Sequence, residues 1–399
     1  MTANEGAASQ PGATVAWLLV AIWSLSMIWT SSTAGVQHDY WSYLSQWNLV
    51  LSGTDPWSSD NAYGPLHNTL AYLLRFGPLA PKMFIVVALL VANALLAWEL
   101  YRCSGIGPLY GVYALAVPTN CLVISMGIVY GLNDALVAAL IVFAVVARIH
   151  GGMIVAGCLL GLAVLLKYYP IILVPMFALD AGRVRRGIVV AAAVVILIGM
   201  SASVLVWGDA TFSPLALGVE RGPKILSILS ALSSYPSLIG GQRVLDILVK
   251  LNAGFVVTAG LASFLIAWKT RMHWLEASVL GLWAVLIAYK VGHQQFYLPW
   301  LFLVAALPLA RTPSSKALAW VCVPMVLFLS AFQWGYANGS VNYPNALAFI
   351  RRDAGFYAFG LFVVTVSAYF IIRRMLEQLP KVDGDPIGFT AAATRVQLP

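Results

Sequence analysis

Few residues in this chain can do chemistry, and nearly all of them stand at the ends of apolar runs. Asp39 is the most informative. It lies in GVQHDYWSYLSQWNLVLSG (35–53), directly after a first apolar run and at the start of an aromatic-rich stretch. A carboxylate at a membrane face costs desolvation energy unless something uses it. Two uses fit the position. Asp39 is a good N-cap for a helix beginning at Tyr40, and it is equally placed to act as a general base that takes a proton from an attacking hydroxyl. His38 beside it is either an interfacial histidine or a neighbour that tunes Asp39.

Other polar groups recur at later junctions. Lys167 precedes Tyr168-Tyr169-Pro170, and a lysine at membrane depth has to face a cavity, a counter-charge or the interface. Arg221 and Lys224 form a compact cationic site in GVERGPK, and Arg351-Arg352 forms another. Lys290, His293, Gln294 and Tyr297 crowd into AYKVGHQQFYLPW, which is polar for a hairpin between apolar segments. Each cationic group can neutralise a phosphate. Asn133-Asp134 after Tyr130-Gly131 reads first as a helix cap, with a hydroxyl or cation ligand as the alternative. Asp55 and Asp60 fall in SGTDPWSSDNAYGPL, where Asp favours turns, and Tyr63-Gly64-Pro65-Leu66 is a rigid turn that sets shape.

The elements that position these residues follow from composition. The chain is 61% hydrophobic and 10% charged over 399 residues, with a mean hydropathy of +0.85, which excludes an ordinary soluble globule. Runs long enough to cross a bilayer are expected at 14–35, 82–101, 106–125, 131–148, 187–207, 253–269, 274–289, 295–310, 316–334 and 354–372. A shorter pair at 152–167 and 169–180 is expected to break at Pro170. The fold class is therefore all-α and polytopic, with about 12 transmembrane helices. With the N-terminus inside, Arg102, Arg148, Arg183, Arg185, Arg186, Lys269, Arg271, Arg311, Lys316, Arg373, Arg374 and Lys381 fall at inner junctions. Both termini are then cytoplasmic. The net charge of +8 is spread over loops and needs no nucleic-acid partner. Outer cations such as Arg75, Lys82, Arg243 and Lys250 fit either ordinary loop charge or an outward cavity for an anion. Residues 1–13 lack the basic start of a secretory signal. The four cysteines match neither a metal site nor a disulfide framework.

Three outer segments are long. In 36–81, the spacing of Tyr40, Tyr43, Leu44, Trp47, Val50 and Leu51 predicts an amphipathic surface helix that stops at Gly53. LHNTLAYLLRFG (66–77) is too short to span. A second surface helix is expected in 208–252, in the fourth outer loop, and 335–353 reads as a polar loop. Residues 1–375 make one transmembrane domain, and 376–399 a polar tail expected to be disordered. Elaborated outer loops put the working site on the outer face. Walker A, Rossmann, HExxH and GxSxG patterns are missing.

Four stretches resemble the GT-C superfamily of integral-membrane glycosyltransferases. They are Asp39 to Trp57, the Tyr63-Gly64-Pro65-Leu66 turn, YGLNDALVAALIVFA (130–144) with GGMIVAGCLLGLAVLLKYYPIILVP (151–175), and GHQQFYLPWLFLV (292–304). The third is the most specific and is similar to bacterial polyprenyl-phosphate-sugar-dependent transferases, including the mycobacterial mannosyltransferase group of family 87. That group usually shows Tyr-Pro-Pro where this chain has Tyr63-Gly64-Pro65, and often Gly-Gln-Asn where it has Gly131-Leu132-Asn133. The resemblance, which spans about residues 14–335, implies inverting transfer of a sugar, mannose first, from a polyprenyl-phosphate donor. The acceptor is a glycolipid or cell-envelope glycan on the outer face of a bacterial inner membrane. It implies Asp39 as base and donor-phosphate ligands among Lys167, Lys290, His293 and Arg221. Weaker substrate contacts are His38, Tyr63, Asp134, Gln294 and Tyr297. A lipid phosphate leaves as an anion, so it needs positive charge and no general acid, and one carboxylate suffices for inversion. No cofactor is implied, and no acidic cluster near Asp39 calls for a divalent metal.

Two other classes compete. A secondary transporter or lipid flippase predicts related halves with broken helices at mid-membrane, whereas here the ionisable residues gather at one face. A ligase using a diphosphate lipid predicts Arg and His in a large outer loop. An acyltransferase predicts a mid-membrane His.

Overall fold

The computed structural model describes residues 11–58, 61–104, 107–342 and 344–378, and is 82% helical with almost no strand. In lipid every backbone N–H and C=O has to be satisfied within its own segment, which leaves helices as the economical use of these apolar runs. The first is α1 (Pro11–Ala34), followed across Gly35 by α2 (His38–Leu51) and, after a turn, by the single-turn α3 (Pro65–Thr69). Then come α4 (Ala80–Ser104), α5 (Pro108–Ala116), α6 (Asn133–Ile149), α7 (Met153–Leu166) and α8 (Leu173–Ala178). The long α9 (Arg186–Trp207) leads into a compact insertion of α10 (Ser213–Glu220), α11 (Ile228–Ser233) and α12 (Gln242–Lys250). The chain ends with α13 (Asn252–Lys269), α14 (Trp274–Ala288), α15 (Leu298–Ala306), α16 (Pro313–Val321), α17 (Val323–Asn342) and α18 (Pro344–Gln378).

Six of the described helical segments are long and apolar enough to cross a membrane, or seven if a bent pair counts as one span. α1, α9, α13 and α18 leave most of their apolar side chains uncovered, as lipid-facing helices do, whereas α6, α14 and α15 are buried nearly throughout. The bent pair joins a π-helical turn, Val123–Val129, to α6 at an angle of 103°. Gly131 is the pivot. Its φ of +63° is left-handed, and a Cβ there would press on the Lys82 side chain, so glycine answers both demands. Residues 169–180 begin with a 3-10 turn, Tyr169–Ile172, that carries Pro170 near its start. The break itself falls at Lys167, whose extended backbone ends α7.

Several expectations are corrected. Asp39 is not an N-cap: Gln37 holds that position, and Asp39 stands one residue inside the first turn of α2. There its charge complements the helix N-terminus without forming the cap. Asp134 does not cap α6 either, since Leu132 is the N-cap residue and the Asp134 side chain turns inward. The segment 335–353 is no polar loop, because α17 runs to Asn342 and α18 begins at Pro344. Lys82 is fully buried, and its ammonium donates to the carbonyls of Ser31 (3.0 Å) and Gly35 (2.7 Å), satisfying the end of α1. At the end of the bundle opposite α2, buried Glu276 accepts from Thr312 (3.0 Å), Ser314 (2.7 Å) and Tyr369 (2.8 Å) and faces Arg373 at 3.7 Å, tying α14 to α16 and α18. Asp60 and the tail beyond 378 lie outside the described residues.

Candidate functional site

α2 is amphipathic in a second sense beyond lipid and core. Tyr40, Tyr43, Leu44, Trp47 and Val50 are buried, and Trp41 and Leu51 are exposed. A neighbouring stripe, Asp39, Ser42, Tyr43 and Gln46, recurs at helical spacing and faces a cavity of about 1360 Å³. Lys167, Arg221, Lys290, His293 and Gln294 line the same cavity, with Tyr63, Tyr130 and Tyr336. These residues come from α2, the 61–64 turn, the break before α6, the break after α7, the end of α10, the 289–294 hairpin and α17. Residues more than 250 positions apart in sequence thus converge at one end of the bundle. Asp134 and Tyr297 are both fully buried and do not line the cavity. The side chain of His38 lies outside the described residues.

The Tyr63 turn is docked by backbone geometry. Gly64 N donates to Leu166 O at 3.0 Å, and a Cβ on Gly64 would run into the Leu165 carbonyl. Asn61 Oδ1 accepts from Tyr63 N (2.9 Å), and the Trp57 indole donates to Tyr63 O (3.0 Å). Asp55 acts as a turn residue, accepting from Trp57 N at 2.8 Å. The Tyr43 hydroxyl donates to the Tyr63 hydroxyl at 2.9 Å. Burial, then the charges of Asp134 and Asp39, raise the Tyr63 phenol above its ordinary pKa, so it stays protonated as a donor.

Lys167 is only 8% exposed, and Asp134 is its counter-charge, with Nζ to Oδ2 at 2.7 Å. The Tyr169 hydroxyl donates to the other carboxylate oxygen at 3.1 Å. The ammonium also lies 4.1 Å from the centre of the Phe296 ring and 5.1 Å from that of Tyr63. A buried charge needs such a partner, and the pair adds little net charge to the cavity. The remaining lining cations are Arg221, Lys250 and Lys290.

Their loops are cross-braced. Lys224 N donates to Lys290 O and Leu226 N to Gly292 O, both at 2.9 Å, in a short parallel pairing of 224–225 with 291–292. Asn252 fixes the same hairpin, donating to Ala288 O (2.6 Å) and accepting from Lys290 N (2.9 Å). Burial first, then Lys167, Arg221 and Lys224, push His293 down to about 4. At neutral pH it offers a ring N–H and a lone pair, not a charge.

The cavity has an apolar arm. Ile171, Ile172 and Pro175 face Val256, Val257, Gly260, Leu261 and Phe264 along α13, and the arm runs beside a helix that is largely uncovered. Gly260 lets α13 approach Ile172 closely. Polar and charged groups crowd one end and aliphatic groups the other, an arrangement that suits an amphiphile with a charged head. No group of three or more His, Cys, Asp or Glu side chains suited to a metal occurs among the described residues.

Sequence reasoning passed over Gln46, Tyr336 and the apolar stripe of α13. The first two carry no motif, and the third has the composition of any membrane helix. Compared with protein-family models, curated proteins and solved structures, the chain shows no match.

Proposed function

We propose that this chain is an inverting glycosyltransferase of GT-C type. It moves a sugar, mannose first among candidates, from a polyprenyl-phosphate donor to a glycolipid or cell-envelope glycan. The observation that carries the reading is the single cavity in which Asp39 shares a wall-to-wall space with Arg221, Lys290 and His293 and which continues into an apolar arm. A transporter does not need a carboxylate and phosphate-binding cations at one face only. A sugar transferase working on a lipid phosphate needs all three parts.

In this reading the prenyl chain lies in the arm between α8 and α13, and its phosphate meets Arg221 and Lys290, with His293 donating a neutral hydrogen bond. Asp39 accepts the proton of the acceptor hydroxyl as that oxygen bonds to the anomeric carbon. The bond from that carbon to the phosphate oxygen breaks on the opposite face, and the lipid phosphate leaves with the electron pair. Cations aimed at the departing anion lower the barrier, and holding two substrates together supplies much of the rest. A positioned base contributes about 10²- to 10⁴-fold. Lys167 keeps its bond to Asp134 and acts as a fixed wall of the head-group site. No cofactor or metal enters this scheme.

The twelve apolar segments are read as twelve spans, formed by the six long helices, the bent pair, four shorter apolar helices and α5. Both termini are then cytoplasmic, in a bacterial inner membrane, and the cavity faces the periplasmic side. The test is transfer in vesicles. Full-length protein should move radiolabelled mannose from polyprenyl-phosphate mannose to a lipid or glycan product of inverted anomeric configuration. Absence of transfer from every polyprenyl-phosphate sugar, or retention of configuration, would overturn the reading.

A further inference from the structure

Beneath the α2 wall lies a buried hydrogen-bond chain that the scheme above does not use. His67, on α3, is fully buried and sits among Tyr43, Trp47 and Tyr63, with ring centres 5.1, 5.1 and 4.7 Å away. One ring nitrogen, Nε2, is 3.0 Å from Gln46 Oε1, and the other, Nδ1, receives a short contact from the Asn133 side-chain amide. Trp47 Nε1 donates to His67 O at 2.9 Å, which fixes the ring's height against α2. A neutral imidazole has one donor and one acceptor. Because the Asn133 amide donates to Nδ1, Nε2 carries the proton and donates to Gln46 Oε1.

That assignment has a consequence for Gln46. Its carbonyl is occupied by His67, so the amide is held in one of its two orientations. The residue is only 4% exposed, yet it lines the cavity on the same face of α2 as Asp39. Its Nε2 is not one of the sealed polar atoms of the core, and the residue opens on the cavity. An amide N–H₂ at a cavity wall is a donor that a bound ligand or water can complete. Gln46 stands two helical turns beyond Asp39, about 10 Å along the axis at 1.5 Å per residue. A group there cannot touch the same reacting atom, but it can reach a different part of one bound saccharide.

We infer that Gln46 is a specificity-determining residue, whose His67-oriented amide donates to a hydroxyl oxygen of the sugar bound in the cavity. This rests on the glycosyltransferase reading above. The shared chemistry is a ring hydroxyl, from either the donor sugar or the acceptor sugar. His67 is then a positioning residue: it touches no substrate and acts only by fixing which atom Gln46 presents. Sites built to hydrogen-bond a substrate hydroxyl discriminate strongly against an analogue that lacks it, because a buried polar group is left unpaired.

The experiment pairs variants of the full chain with singly deoxygenated donors and acceptors in the vesicle assay. Gln46→Met keeps the shape and removes the N–H₂; His67→Phe keeps the stacked ring and frees the Gln46 amide. For the wild type, one deoxy analogue should cost roughly 5- to 30-fold in kcat/KM, the range of a hydrogen bond worth one or two kcal/mol. Gln46→Met should lose a similar factor with the natural substrate and nothing more with that analogue, while every other analogue keeps its wild-type penalty. His67→Phe should shrink the same penalty with the KM of the other substrate unchanged. A donor analogue behaving so assigns the contact to the donor, an acceptor analogue to the acceptor. If the variant and deoxy penalties simply multiply for every analogue, or if Gln46→Met is as active as the wild type, the assignment is overturned. If the wild type transfers no sugar, the underlying reading falls and takes this one with it.

Discussion

Removing Asp134 should damage the protein more than removing Asp134 and Lys167 together. Lys167 is 8% exposed, its ammonium is 2.7 Å from Asp134 Oδ2, and its other neighbours are the faces of Phe296, Tyr63 and Tyr169. Asp134→Ala leaves a buried cation supported by ring faces alone. Such contacts are worth about 0.5–2 kcal/mol, whereas breaking a buried ion pair from one side costs about 3–5 kcal/mol. The ring contacts are present before and after the change, so the expected loss for Asp134→Ala is about 3–5 kcal/mol. Lys167→Met leaves a carboxylate that still accepts from the Tyr169 hydroxyl, so its loss is smaller. In Asp134→Ala with Lys167→Met, neither charge is stranded, and replacing a buried pair by apolar groups is often close to neutral. Thermal unfolding of the purified chain in detergent, followed by tryptophan fluorescence, measures all three variants as a double-mutant cycle. The double variant should melt nearer the wild type than Asp134→Ala does. Additive losses, or an Asp134→Ala variant as stable as the wild type, would refute the reasoning.

Three further outcomes follow from the same contacts. Gly64→Ala places a Cβ against the Leu165 carbonyl, so the Tyr63 turn must shift from α7; transfer activity should fall sharply while a conservative change at exposed Ser58 does not affect it. Gly260→Leu fills the space between α13 and Ile172, and should raise the KM for a long-chain polyprenyl donor several-fold while affecting a short-chain analogue less. His293 is held near 4 against an ordinary 6.5, so the unfolded chain binds the extra proton between those values. Stability should thus be lost as pH falls from about 6.5 through about 4, and His293→Gln should flatten that part of the melting-temperature profile.

The sequence made some of this architecture readable and hid the rest for definite reasons. Most apolar segments expected to be helical lie on described helix, because in lipid the backbone has little other choice, but 106–125 is divided by a turn at 117–120 that follows α5. The buried face of α2 was legible in the spacing of Tyr40, Tyr43, Trp47 and Val50. The cap at Gln37 was not, since Asp at position 39 is also favourable one residue inside a helix. Polar composition misled at 335–353, where α17 continues to Asn342 and α18 begins at Pro344 through Asn- and Tyr-rich sequence. Lys167 announced its need for a counter-charge, but nothing in local spacing identifies Asp134, which is 33 residues earlier and on another helix. Gln46 was invisible for a similar reason. Its significance depends on His67, 21 residues away across a turn, and on which end of an amide a buried ring occupies.

The most direct test of the account is sugar transfer by Asp39→Asn in vesicles, beside the wild type and with binding of the polyprenyl-phosphate donor measured on the same preparations. Asparagine keeps the size and position of the side chain and loses the basic lone pair. The account predicts a fall in transfer of about 10²-fold or more, with donor binding and expression close to wild type. Full transfer by Asp39→Asn would contradict it.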